Sequence, residues 1–388
     1  MLGLVSLLMG MSSAMIHGVL PAFLVTVLAA SPMVIGVIEG AAEATTSFMK
    51  VFSGRASDWL GRRKPLVVAG YAISACAKLL FLGAGSALAV MLARVADRIG
   101  KGVRDGPRDA LLTDVTPQPV RGTGFGLRLA LYTCGAVLGP VAATAIMAAS
   151  SNDFRLVFAL ALVPAALSVA VLWRFVREPR NAFPALGRPL AIRRADWAQL
   201  SRAFWWIVGL AALLALARFS YAFLLLKAQH SGAPTALLPA VLALIHLVYA
   251  AAAYPCGVLA DRIDRRMQLG LGTLVLIGAG LLLAAVDSPA LVAFGAALWG
   301  LQMGITQGLL AACIADAAPT HLRGTAFGIY DLAVGLATFS ASAGAGAAWM
   351  LGGPAAAFSA SAVAAGGALL LLLSGPPLTS HADSAGSR

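Results

Sequence analysis

Residues 54–65 read GRASDWLGRRKP, a short run of acidic and basic residues wedged between two long apolar runs. The pattern returns at Gly257 as GVLADRIDRRM, so that Gly54, Asp58, Arg62 and Arg63 recur as Gly257, Asp261, Arg265 and Arg266, each displaced by 203 positions. A second segment repeats at nearly the same offset. LTDVTPQPVRGTGFG, from Leu112, returns as IADAAPTHLRGTAFG, from Ile314, which carries Asp114, Arg121 and Gly126 onto Asp316, Arg323 and Gly328. Two unrelated segments repeating at almost one spacing mean that the chain is a duplicated half.

The 388 residues are 60% hydrophobic and 11% charged, with a mean hydropathy of +0.87. A soluble globular chain does not carry so little charge, so this is a membrane protein. The net charge of +12 does not point to a nucleic-acid partner, which would need a basic face on a soluble domain. The basic residues sit instead in short loops between apolar runs, as cytoplasmic loops do. Cys76, Cys134, Cys256 and Cys313 lie in or beside apolar runs with no metal-site spacing, and they read as small buried apolar residues. No metal and no cofactor is expected.

About 20 apolar residues are needed to cross the hydrocarbon core. About twelve such spans can be drawn: 2–29, 32–52, 66–82, 87–102, 124–149, 154–176, 203–226, 237–256, 269–286, 290–311, 324–350 and 354–373. The first is too long for a signal-peptide core and has no basic leader, so it is expected to be retained. The loops holding Arg62 to Lys64, Arg104 to Arg121, Arg177 to Arg202, Arg262 to Arg266 and Arg323 fall on one side, which places both termini in the cytoplasm. Residues 177–202 form a basic linker between halves 1–176 and 203–375, able to meet anionic lipid headgroups, and 376–388 read as a disordered tail.

The spacing G-x-x-x-D-x-x-G-R-R, with Gly54, Asp58, Gly61, Arg62 and Arg63 between the second and third spans and its degenerate copy at Asp261, Arg265 and Arg266, resembles the major facilitator superfamily of secondary transporters. That resemblance spans nearly the whole chain. It implies an all-α membrane fold of two pseudo-symmetric six-helix bundles, with substrate bound between them near the midplane. It also implies a gating role for the loop, in which Asp58 caps the eleventh helix while Arg62 and Arg63 pair with acids near the fourth, such as Asp105 or Asp109. The run RIGKG resembles the family's fourth-helix motif, in which Arg98 matches the arginine linked to proton transfer. Gly135, Gly139 and Pro140 resemble the fifth-helix motif of its antiporters, which implies export. GKGVRDGPRDAL, from Gly100, looks like the signature of a bacterial branch whose members carry first-span acids where this chain has Gly10 and Ala14.

Ionisable groups inside a membrane are expensive unless paired, so each is a functional candidate with a partner. Glu39 and Glu43 lie one helical turn apart in the second span, and Arg94, Asp97 and Arg98 form a stripe in the fourth. At about 1.5 Å of rise per residue, Glu39 comes level with Arg94 and Glu43 with Arg98. A ladder of carboxylate and guanidinium pairs follows, readable as a proton relay or as a static buried network. Asp331, about 10 Å into the eleventh span, needs a partner too. Arg218, Tyr221, His246, Gln302 and Gln307, with His17 from the first span, are the candidates for a substrate cavity. Trp205 and Trp206 fit an interfacial belt.

The most concrete reading is proton-coupled efflux of a small organic molecule or drug by a monomer in a bacterial cytoplasmic (inner) membrane, with substrate, protons and lipids as partners. Import is one alternative. Another starts from Met9, Met11, Met15 and His17, a soft donor set for Cu(I), although ordinary core packing explains these residues better. A third is a non-transporting receptor or scaffold. No nucleophile elbow or phosphate loop suggests an enzyme.

Overall fold

A computed structural model describes residues 1–60, 62–176, 178, 199–260, 263–319 and 322–375. Gly61, Asp261, most of the linker and the tail lie outside the described residues, and Gly54 and Asp58 enter as helical backbone only.

The chain folds into helices α1 (Leu2–Thr26), α2 (Pro32–Leu60), α3 (Lys64–Leu82), α4 (Ala87–Val115), α5 (Arg121–Ala149), α6 (Phe154–Phe175), α7 (Arg202–Ala217), α8 (Ala222–His230), α9 (Leu238–Ala260), α10 (Arg265–Ala285), α11 (Pro289–Ala317) and α12 (Arg323–Ser374). Helix is the form that lets a chain satisfy its backbone inside lipid. Local chemistry sets where several helices begin. Ser86, Asp153, Ser201 and Asp264 each accept a backbone N–H of the first turn, filling donors that a helix start leaves open.

Among the described residues, nine stretches are long and apolar enough to cross a membrane. Helices α2 and α4 are 29 residues each, long enough to span, but carry the charges that lower their hydropathy. Helix α12 turns back on itself at Gly352 and Gly353, where Gly353 has φ +70°, a conformation that a side chain disfavours. The result is an all-α membrane protein with twelve crossings.

The packing repeats along the chain. Helix α1 lies on α5 and α6, α2 on α4, and α3 on α4 and α6; later, α7 lies on α12, α9 on α11, and α10 on α11 and α12. The two sets meet where α2 runs along α12 and α5 along α9. At Gly135 and Gly139, α5 rests directly on the backbone of α1 at Leu7 and Met11, which a side chain at either position would obstruct.

Three expectations need correction. The seventh span is not one helix: α7 ends at Ala217 and α8 begins at Ala222. The intervening Arg218 has φ −112° and ψ 85°, and its charge leaves the helix to face the interior. The fourth span does not stop near residue 102 but continues as helix to Val115, because its charges are paired, Asp105 with Arg108 on the same helix and Asp109 with Arg128 of α5. Cys76 and Cys134 are exposed on the outer face, where small apolar residues meet lipid as readily as they fill a core.

Opposite the basic loops, Asp287 accepts a hydrogen bond at 2.7 Å from Lys227, whose side chain is buried. That bond and charge hold the Asp287 carboxyl below its ordinary value. Its contribution is therefore present above the carboxylate's unfolded pKa and fades as pH falls. Asp287→Asn should lower the melting temperature slightly at pH 7, and the gap from the wild type should close as the pH is lowered into the carboxylate range.

Candidate functional site

The charged stripes of α2 and α4 meet as a ladder. Arg94 grips Glu39 with both ends of its fork, Nε to Oε1 at 3.0 Å and Nη2 to Oε2 at 2.5 Å. One turn along, Arg98 Nη2 lies 2.8 Å from Glu43 Oε1. These are the levels that the helical rise anticipates. Asp97 turns the other way and takes Lys78 of α3 at 3.2 Å.

Lys78 was missed in the sequence. Its Nζ also reaches Ser13 at 3.1 Å and the Met9 sulfur at 3.5 Å, and its side chain is 1% exposed. The signal was there to read: a lysine in the middle of the apolar run SACAKLLFL must have an acid nearby.

Arg94 has a third partner. Its Nη1 donates to His17 Nε2, and because a guanidinium only donates, the imidazole must carry its proton on Nδ1. Glu39 is likewise shared, since Ser220 in the break between α7 and α8 donates to its Oε2 at 3.1 Å. One carboxylate thus binds an arginine in its own half and a hydroxyl in the other. The interrupted helix makes this contact possible, because it releases Ser220 from the helical ladder.

These groups border a central cavity of about 420 Å³ with walls from both halves. Of the residues anticipated, His17, Glu39, Glu43, Asp97, Arg98, Arg218, Tyr221, His246 and Gln307 line it, and Arg94 stands behind Glu39. Tyr221 and His246 face each other with ring centroids 5.7 Å apart. Lys101, Tyr132, Tyr249 and Trp299 also line it.

Two candidates lie elsewhere. Gln302 is fully buried within α11, where its amide donates to Thr306 Oγ1 at 3.0 Å, a helix-internal bond that holds it off the cavity. Asp331 lies off the cavity and meets Lys50 of α2 at 3.7 Å, an ion pair between the halves. The soft-metal reading also loses ground on geometry, since Met9 and His17 each touch a cation, Lys78 or Arg94, whose charge repels a metal ion.

The two repeated sequence segments meet in space. Arg63 Nε lies 3.1 Å from Asp114, and Arg265 Nη1 lies 2.7 Å from Asp316, so the loop arginine and the repeated acid pair in each half. The expected partners Asp105 and Asp109 are engaged elsewhere, by Arg108 and, more distantly, by Arg104 and Arg128. Arg108, one turn from Asp105 and next to Asp109 on the same helix, reaches those acids first.

At the end opposite the basic loops the halves close over the cavity. Gly18 packs on Pro239, Gly36 on the backbone of Ser342 and Ala343, and Gly346 on Pro32 and Met33. Each contact is backbone-close because one partner lacks a side chain.

Comparisons with known proteins agree with this architecture. The sequence model of the Major Facilitator Superfamily matches residues 2–342. An uncharacterised MFS-type transporter of Methanocaldococcus jannaschii is 30% identical over 359 residues, 90% of this chain and 88% of the relative. Among solved structures, the nucleoside transporter NupG superposes with a TM-score of 0.77 at 13% identity, covering 96% of this chain and 97% of that one. A D-xylose-proton symporter gives a TM-score of 0.77 at 15% identity, with 97% of each chain covered.

Proposed function

The chain belongs to the Major Facilitator Superfamily and is an integral membrane transporter, and from that premise we propose that it exports a small molecule by alternating access coupled to proton movement. The observation that carries this is the double hold on Glu39, by Arg94 within the first half and by Ser220 of the second. Protonating that carboxylate would weaken its ion pair with Arg94 and change what the halves share, which is how proton binding would be felt as a rocking motion.

Glu43 and Asp97 line the same cavity and extend the set of proton carriers. Asp331, paired with Lys50 across the halves, would report the same motion nearer the basic end. The two halves, 1–176 and 203–375, would move as bodies around the cavity. Cytoplasmic placement of the basic loops supports loading from that side, and the antiporter-like Gly135, Gly139 and Pro140 support export in a bacterial inner membrane.

The test is transport in proteoliposomes under an imposed pH gradient, comparing the wild type with Glu43→Gln across drugs, organic anions and metals. Compound-dependent proton flux in the wild type should disappear in Glu43→Gln. Equal, pH-independent transport by both proteins would make the buried charges structural and sink the coupling. No flux of any compound, with variants altering only stability, would favour a receptor.

A further inference from the structure

The carboxylates of the cavity are already engaged: Glu39 by Arg94, Glu43 by Arg98 and Asp97 by Lys78. Two cations of the lining have no acid within ion-pair distance among the described residues, Lys101 in the first half and Arg218 in the second. Arg218 is the more telling. Its Nε and Nη1 are shut off from solvent and meet no hydrogen-bond partner among the described residues. Arg218 is half-buried on the cavity wall, where a guanidinium with unmatched donors is costly and a ligand oxygen that reaches it from the cavity is correspondingly favoured.

We propose that the cargo is a small organic anion whose carboxylate is taken by Arg218. This deepens the transport reading above and rests on it. The planar fork of arginine matches a carboxylate with two parallel hydrogen bonds, whereas a cationic compound would enter a cavity whose acids are spoken for and whose excess charge is positive. Tyr221, Tyr249 and Trp299 supply an aromatic wall for an apolar body, and about 420 Å³ suits a ligand of metabolite size. Arg218 also sits in the break between α7 and α8, where backbone free of the helical ladder can shift as the halves rock.

The experiment uses the purified full-length protein in detergent and a panel of carboxylates, each paired with its amide and its amine, such as benzoate, benzamide and benzylamine. Binding is read by thermal shift and by tryptophan fluorescence. The carboxylate should bind about tenfold to a hundredfold more tightly than its neutral partner, the range of a charge-assisted hydrogen-bonded pair. Arg218→Gln should erase that discrimination, while Arg218→Lys should keep the preference for anions at weaker affinity. Should Arg218→Gln fail to fold, the wild-type charge series decides alone. A wild-type preference for neutral or cationic members, no binding by any carboxylate, or discrimination that survives Arg218→Gln overturns the proposal. Proteoliposome flux separates the two readings. Gradient-driven uptake of a neutral compound would leave transport standing without the anion site, and carboxylate binding at Arg218 without flux would do the reverse.

Discussion

Arg94→Met should lower the stability of the folded protein by about 3–5 kcal/mol, the loss typical when one partner of a buried ion pair is removed. Arg94 is 1% exposed and serves two acceptors, Glu39 and His17, so the substitution strands a buried carboxylate and an imidazole nitrogen together. The companion Glu39→Leu on the same background should recover most of the loss, because a well-packed apolar pair can replace a buried ion pair at little net cost. What remains unrecovered would reflect His17, whose nitrogen still lacks its donor, and Ser220, whose hydroxyl loses its acceptor. Arg62→Met, on an exposed residue, should change stability by less than about 0.5 kcal/mol. Denaturation midpoints in detergent measure all of these. A midpoint for Arg94→Met equal to the wild type would mean that the Arg94–Glu39 pair contributes nothing to the stability of the fold.

Gly36→Leu should abolish transport while leaving a folded protein. At Gly36, α2 touches the backbone of Ser342 and Ala343 in α12, and backbone has little room to yield to a new side chain. Overpacking of this kind costs about 1–3 kcal/mol. Because this contact joins the two halves, alternating access would part it in the other state, and the strain would then act as a population shift of roughly 5- to 150-fold toward that state. In a cysteine-free background, Thr338→Cys on the cavity wall serves as a reporter. Gly36→Leu should speed its reaction with a membrane-impermeant thiol reagent applied from the side of the α1–α2 loop. Unchanged labelling with normal transport would show that this contact is not part of a moving closure.

Much of the site could be read from the chain before any coordinates. Glu39, Glu43, Arg94 and Arg98 reveal themselves because a helix has a fixed rise and a charge in lipid must be paired, so spacing alone predicts the rungs. Lys78 follows from the same rule and was passed over because it lies in a third helix, where spacing along one helix gives no register to the others. The partner of Arg63 was misjudged for a related reason. Asp105, Asp109 and Asp114 are all near in sequence, and only the position of neighbouring arginines decides which acid remains available. Ser220 carried no signal at all, since an isolated serine in an apolar run is ordinary.

By itself the sequence determined the class of the protein, the twelve crossings, the internal duplication and the rungs of the α2–α4 ladder. Each depends on local, additive quantities: the length of an apolar run, the side of a basic loop, the rise of a helix. Only the tertiary structure decided that the seventh crossing breaks at Arg218, that Ser220 reaches across to Glu39, and that Gln302 and Asp331 lie off the cavity. Those outcomes depend on how two halves meet, a competition among distant groups for the same few buried partners, and no run of neighbouring residues records its result.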